Sequence, residues 1–234
     1  MPQTRLGLVT IGQSPREDLA AHLRPYLTGD IELVQAGALD GLAPDELAQL
    51  SPAPEEATYI TKLRDGTSVT VATARLMPYV RGAVRRLEAR DVSAILLLCT
   101  GRFPPLGRSR LVVEPERVIG RLVDALRPRR LGVLVPLGRQ AEQMGRKWQK
   151  GARQVFVESA SPYDDDLVAF DAAVEGLARR QPDLVVLDCM GYAQRHWRRA
   201  QELLPCPVLL SISTVGAVVG QLVGAPVGAP GRSG

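Results

Sequence analysis

Short runs of apolar residues alternate with amphipathic helical patterns along the chain. The runs predict buried strands at residues 6–11, 31–35, 93–98, 111–113, 130–135, 154–157, 183–188 and 207–212. Between them, apolar residues spaced three or four positions apart predict helices, the clearest at residues 80–90, 116–126 and 167–180. Because strands and helices alternate, we predict an α/β fold with parallel sheets and right-handed crossovers.

Two segments depart from this alternation. Residues 58–63 and 67–71 are β-prone and flank the turn Arg64-Asp65-Gly66, a pattern that predicts an antiparallel hairpin. We interpret the hairpin, at about residues 57–72, as an insert. The last residues, 224–234, are rich in glycine, proline and alanine, so we expect a disordered tail.

One structural unit occurs twice. Residues 93–101 and 183–191 are each an apolar run that ends in Cys-x-Gly, with the cysteines at Cys99 and Cys189. Each run follows a helical pattern that closes in basic residues, and each glycine is expected to let the chain turn off the strand end. The duplication predicts two similar half-domains, each with a thiol at the carboxyl end of a strand.

The two halves also begin alike, since Arg-Leu-Gly opens the strands at residues 5 and 130. We predict a first lobe at residues 1–115, completed by a final helix at residues 211–223, and a second lobe at residues 116–210. Ligands of parallel sheets bind beyond the carboxyl ends of the strands, where both cysteines stand. The geometry therefore predicts one cleft between the lobes.

Composition and charge limit the classes of partner. The formal net charge is +4 and nearly all basic residues are arginine, but they alternate with acidic residues along helices. We interpret them as solvated helix faces and predict no nucleic-acid partner. No apolar run is long enough to cross a bilayer, and the amino terminus lacks the pattern of a signal peptide, so we expect no membrane partner and a cytoplasmic location. A homodimer is left open.

Two cofactor classes do not fit the sequence. The cysteines are far apart and only His22 and His196 accompany them, which is not the spacing of a structural zinc site. The turn that begins at Gly12 lacks the G-x-G-x-x-G pattern of dinucleotide-binding folds. We therefore predict a site without metal or cofactor.

Two facing thiols without a cofactor suit one type of reaction well. One thiolate removes a proton from the carbon next to a carboxylate, and the opposite thiol returns a proton to the other face. Turn amides and nearby arginine are expected to lower the pKa of Cys99 and Cys189 below the usual ~8.5. Cys206, between two prolines, is interpreted as a small core residue.

The cleft must also supply hydrogen-bond donors to a carboxylate and to an anionic intermediate. Ser14 is predicted to cap a helix that runs to about Leu27, which would aim the amides around Gly12 at an anion. A plain helix cap is the alternative. The candidate substrate-binding residues are Gly12, Gln13, Ser14, Arg16, Thr100, Gly101, Arg102, Met190, Gly191, Ser213 and Thr214.

These motifs carry a resemblance to known families. The two Cys-bearing strand ends and residues 112–115 resemble the aspartate/glutamate racemase superfamily, which includes hydantoin racemases, arylmalonate decarboxylase and maleate isomerase. Residues 10–16, the hairpin and residues 187–196 resemble the AroM family more closely, over nearly the whole chain except the tail. The resemblance implies two pseudo-symmetric flavodoxin-like lobes with the site between them, and Cys99 and Cys189 as the catalytic residues.

We therefore predict a cofactor-independent racemase or isomerase that acts on a small carboxylate or amino acid. Two alternatives stay open. One is an enzyme similar to arylmalonate decarboxylase or maleate isomerase that uses a single cysteine, and the other is a binding or regulatory protein of the same fold that performs no chemistry.

Overall fold

The computed structural model describes residues 4–106, 109–151, 153–164 and 166–224. The strands are β1 Thr4–Thr10, β2 Ile31–Gly37, β3 Thr58–Lys62, β4 Ser68–Ala72, β5 Ala94–Leu97, β6 Leu111–Val113, β7 Arg130–Val135, β8 Gln154–Ser159, β9 Leu184–Leu187 and β10 Val208–Leu210. The α-helices are α1 Glu17–Leu23, α2 Pro44–Ala48, α3 Thr73–Glu88, α4 Pro115–Leu126, α5 Ala141–Trp148, α6 Val168–Ala178, α7 Gln194–Leu203 and α8 Ser211–Val223. Short 3₁₀ turns lie at Arg24–Tyr26 and Gly138–Gln140.

The predicted α/β fold with two similar parallel sheets is confirmed. The strand order is β2-β1-β5-β6 in the first sheet and β10-β9-β7-β8 in the second. When the second order is written from its other end, each strand matches its equivalent in the first, with β1 beside β5 and β7 beside β9. The predicted hairpin forms as the antiparallel pair β3–β4. Sequence duplication thus corresponds to a duplicated sheet.

The central strands are buried on both faces. In β5, Ile95 and Leu97 pack on one side while Ala94 and Leu96 pack on the other, because successive strand residues point in opposite directions. The Leu96 side belongs to a core that also contains β7 and β9, so the two halves share one continuous apolar interior. The Ile95 side packs against α3 and the hairpin.

The structure corrects two predicted boundaries. The predicted cap at Ser14 is wrong, because α1 begins at Glu17 and ends at Leu23, and the Ser14 hydroxyl donates to Asp40 Oδ2 at 2.6 Å instead. The predicted strand at residues 207–212 is shorter, Val208–Leu210, and the last helix begins at Ser211, whose hydroxyl donates to the carbonyl of Leu187 at 2.6 Å.

Helix α8 packs against α1, α4 and β5 as well as against the strand that precedes it. The lobe boundaries at residues 115/116 and 210/211 stay a prediction. From residue 225 onward, the predicted tail lies outside the described residues. None of the helices in the described ranges has the length and apolar character that a membrane span requires.

Candidate active site

A cavity lies where the carboxyl ends of the two sheets meet. It offers about 40 Å³ to water-sized molecules. Both halves contribute walls: residues 98–101 follow β5, and residues 188–191 follow β9. The rest of the lining is Ile11, Arg16, Leu19, Tyr59, Ile60, Thr61, Val135, Pro136, Gln140, Met144 and Tyr163. The cavity is therefore small, mainly apolar, and bordered by both cysteines.

The two cysteine turns have the same local geometry. The amide of Gly101 donates to the sulfur of Cys99, and the amide of Gly191 donates to the sulfur of Cys189, each at 3.3 Å. Both bonds arise because the chain turns at the strand end and brings the amide two positions later back to the side chain. A thiolate on either side would accept this hydrogen bond.

The expectation of acidic thiols is wrong. Burial raises the pKa of Cys99 to about 12 and that of Cys189 to about 11. The turn amides do act to lower both values, as expected from the sequence, but the loss of hydration of the thiolate outweighs them. Both residues are therefore neutral thiols near pH 7.

The glycines after the cysteines are required by space rather than by an unusual backbone angle. A Cβ atom on Gly101 would lie 2.6 Å from the hydroxyl oxygen of Tyr59, and one on Gly191 would lie 3.0 Å from a ring carbon of Tyr163. The described glycines with positive φ lie elsewhere, at positions 29, 41, 66 and 151. The two tyrosines thus close over the turns.

Arg16 supplies a buried cation at the cavity wall. Its guanidinium donates to both carboxylate oxygens of Asp18, at 2.8 and 2.7 Å, and lies 6.0 Å from the centre of the Tyr163 ring. Burial acts to lower the pKa of Arg16, but the bonds to Asp18 outweigh this and raise it. Arg16 also lowers the pKa of Cys189.

The turn at residues 12–14 is bonded within the chain. The amide of Gly12 donates to Thr10 Oγ1 at 3.2 Å, and the amide of Gln13 to the carbonyl of Lys62 at 3.1 Å. The amide of Ser14 donates to Asp40 Oδ1 at 2.8 Å. The sequence predicts these amides as hydrogen-bond donors to a substrate carboxylate. In the structure they bond within the chain and hold the turn against the hairpin and the loop that follows β2.

Three other candidates lie away from the cavity lining. Arg102 pairs with Glu116 at 3.3 Å and is exposed. Ser213 borders a separate depression beside His22 and Tyr26, and the Thr214 hydroxyl donates to a backbone carbonyl of β10 at 3.0 Å. Of the candidate set, the structure therefore brings together Cys99, Cys189, Arg16, Thr100, Gly101, Met190 and Gly191.

Sequence reasoning missed Lys147 and the cavity tyrosines. Lys147 lies in a polar helix with other charged residues, so its pattern is that of a surface position. One signal was available: Asp188 ends an apolar strand, and a carboxylate there requires a buried partner. Lys147 is that partner, at 2.8 Å.

In the part of the chain that is described, no group of three His, Cys, Asp or Glu side chains has a metal-binding arrangement.

Comparisons with known proteins agree with this architecture. The sequence model of the AroM protein family matches residues 6–223. No curated protein sequence matches significantly. Among solved structures, allantoin racemase from Klebsiella pneumoniae is similar with a TM-score of 0.62 and 15% identity, over 94% of this chain and 87% of that one.

Two further solved structures are similar over most of their length. Picrophilus torridus aspartate racemase has a TM-score of 0.59 at 10% identity, with 93% of both chains covered. The maleate isomerase Iso from Pseudomonas putida S16 has a TM-score of 0.58 at 12% identity, with 94% of this chain and 92% of that chain covered. At such identities the similarity shows a shared fold.

Proposed function

The chain belongs to the AroM protein family, and from this premise we propose that it is a cofactor-independent racemase or isomerase acting on a small carboxylate. The observation that carries the proposal is that Cys99 and Cys189 border one cavity at equivalent strand ends, each with the same glycine N–H···S bond. The names of the solved structures with this fold, racemases and isomerases among them, agree with it.

The proposed reaction removes a proton from one face of the α-carbon and adds a proton to the opposite face. In the small fraction of molecules in which Cys189 is ionised, its thiolate takes the proton from the carbon next to the carboxylate, and the C–H electron pair passes into the carboxylate to form an enediolate. The thiol of Cys99 then gives its proton to the opposite face, which leaves a thiolate on Cys99 and a thiol on Cys189. After the product leaves, exchange of protons with solvent returns Cys189 to the thiolate and Cys99 to the thiol, so that turnover in one direction continues.

Positive charge is needed most when the enediolate forms. Arg16 is the cationic side chain that borders the cavity in the described chain, and we assign it to the substrate carboxylate. Its pairing with Asp18 holds the guanidinium in one orientation. The small volume and the apolar walls favour a compact substrate whose substituent is not charged.

Decarboxylation with a single protonating thiol is a second candidate, and the raised thiol pKa values favour it. A thiol that donates a proton to an enediolate must be protonated at rest, as Cys99 and Cys189 are near pH 7. This reaction needs one cysteine only.

The test is deuterium wash-in at the α-carbon, with a panel of amino acids and α-substituted acids, in Cys99→Ala and Cys189→Ala. Two-base chemistry predicts that each substitution abolishes racemisation, while one variant still exchanges the α-proton of one enantiomer. Cys206→Ala is the matched control, because Cys206 packs at the edge of the core, and it should keep full activity. Racemisation that survives the loss of either thiol would falsify the two-base scheme. Decarboxylation lost in only one variant would identify the second candidate, and a ligand bound without turnover would identify a binding protein.

A further inference from the structure

A buried charge pair joins the two cysteine turns. The ammonium of Lys147 lies 2.8 Å from Oδ2 of Asp188, and the two side chains are only 6% and 1% exposed. The indole nitrogen of Trp148 donates to the same carboxylate oxygen at 2.8 Å. Two adjacent residues at the end of α5 thus hold a carboxylate that directly precedes Cys189.

The same lysine reaches the other turn. Lys147 donates to the carbonyl of Thr100 at 2.9 Å, and Thr100 directly follows Cys99. The Thr100 hydroxyl in turn donates to the backbone carbonyl of Asp188 at 3.0 Å. Thr100 and Asp188 are therefore connected twice, once directly and once through Lys147. A displacement of one cysteine turn must strain the bonds that hold the other.

Stability by itself does not account for this pair. The attraction between two buried charges is largely offset by their lost hydration, and apolar residues of the same volume often serve as well. The charges do, however, act on both sulfurs. The ammonium of Lys147 lowers the pKa of Cys99 and of Cys189, whereas the carboxylate of Asp188 raises both.

We propose that Lys147 and Asp188 are positioning residues, which hold the two cysteine turns at a fixed separation and subject both sulfurs to one shared pair of charges. The proposal rests on the proposed function only in that these two thiols are the reacting groups. An exchange of protons between two facing thiols requires that neither becomes much more acidic than the other. A charge pair attached to both turns meets this requirement.

The remaining ionisable groups near the thiols differ between the two sides. Tyr59 faces Cys99, whereas Arg16, Tyr163 and Tyr192 face Cys189. Burial raises the pKa of all three tyrosines, so they stay neutral from neutral to moderately alkaline pH. Over that range, Lys147 and Asp188 are charged groups that act on both thiols.

The test measures iodoacetamide alkylation of Cys99 and Cys189 separately, by peptide mass spectrometry, as a function of pH in the full chain. Lys147→Met leaves the carboxylate without its cation, so both alkylation rates should fall by roughly tenfold, the change given by one pKa unit. Asp188→Asn keeps the shape and an acceptor for Trp148, and both rates should rise by a similar factor. The matched controls are Lys150→Met and Asp124→Asn, which should change neither rate. They disrupt a more exposed Lys–Asp pair, whose lysine lies two residues after the end of α5.

Circular dichroism establishes first that each variant is folded. A change in the same direction in both variants would mean a loss of packing and would overturn the proposal, as would a response of only one thiol. If Lys147→Met does not fold, the alkylation rates of Lys147→Arg and Asp188→Asn test the proposal instead. The first should keep both rates within about twofold, since charge is retained, and the second should still raise both. Because alkylation needs no turnover, failure to find a substrate would bear on the proposed function and not on this result.

Discussion

The two cysteine turns share a backbone and differ in what surrounds it. At Cys99, the hairpin covers the turn, and the Tyr59 ring stacks on Phe103 with centroids 5.3 Å apart while its hydroxyl donates to the carbonyl of Arg102 at 3.0 Å. At Cys189, the cover is Tyr163, which lies in a loop and contacts Arg16. One turn is thus sealed by a rigid aromatic pair, and the other is bordered by a cation.

The repeated segments therefore fix the positions of the two thiols, while segments outside the repeat set the difference between their pKa values. The glycine amide acts equally on both sulfurs, at 3.3 Å. Arg16 comes from the loop before α1 and lowers the pKa of Cys189, which lies near 11 against about 12 for Cys99. The more acidic thiol is therefore the one we assign as first base.

The largest expected effect is a loss of stability when the tyrosine that closes over a cysteine turn is crowded. Gly101→Ala places a methyl group 2.6 Å from the Tyr59 hydroxyl. Tyr59 is only 5% exposed and is held by Phe103, on which its ring stacks, and by the carbonyl of Arg102, to which its hydroxyl donates. We expect a loss of about 1–3 kcal/mol in the free energy of unfolding, measured in urea, because neither the ring nor the turn has space to move.

Gly191→Ala is the paired variant for that measurement. Its methyl group would lie 3.0 Å from Tyr163, a partly buried residue in a loop, so the cost should be about 1 kcal/mol or less. Equal losses in the two variants would show that the covers are equally rigid and would remove the distinction drawn here.

The next prediction concerns the relative alkylation rates of the two thiols. Cys189 should be alkylated faster than Cys99 at any pH below 11, because its pKa is the lower of the two and a larger fraction of it is thiolate. Both rates should keep rising with pH beyond ~8.5, the pKa of a free cysteine. A plateau near that value, or faster reaction at Cys99, would contradict the assignment of roles.

The same shifts predict a loss of stability in alkali. Both folded-state pKa values lie above the unfolded value of ~8.5, so the folded chain holds more protons between these limits. The contribution of the thiols to stability is complete below about pH 8.5 and is lost as the pH rises through 11 and 12.

The smallest effect isolates Arg16. Arg16→Met should slow the alkylation of Cys189 by roughly threefold and that of Cys99 by less, because the guanidinium is among the main groups that lower the pKa of Cys189. Arg102→Met, which removes an exposed arginine, is the control and should alter neither rate. A response of Cys99 equal to that of Cys189 would mean that Arg16 does not distinguish the two turns.

The fold class, the duplication and the placement of the two cysteines at strand ends were predictable from the sequence. This is because buried parallel strands require continuous apolar runs, and the carboxyl ends of such strands converge in space. The Cys-x-Gly repeat therefore predicted one shared cavity. The hairpin was predictable for a similar reason, since its turn residues lie between two β-prone segments.

The protonation of the thiols and the partner of Asp188 depend on long-range packing and could not be predicted from the sequence. The turn amides and arginine suggested a low thiol pKa, but desolvation depends on how many segments close over the sulfur, and no local pattern reports that. Likewise Ser14 had the sequence of a helix cap, yet its amide and hydroxyl both donate to Asp40, which lies in the loop after β2. Lys147 meets Thr100 and Asp188 from positions 47 and 41 residues away in the chain, and such contacts exist only once both sheets have formed.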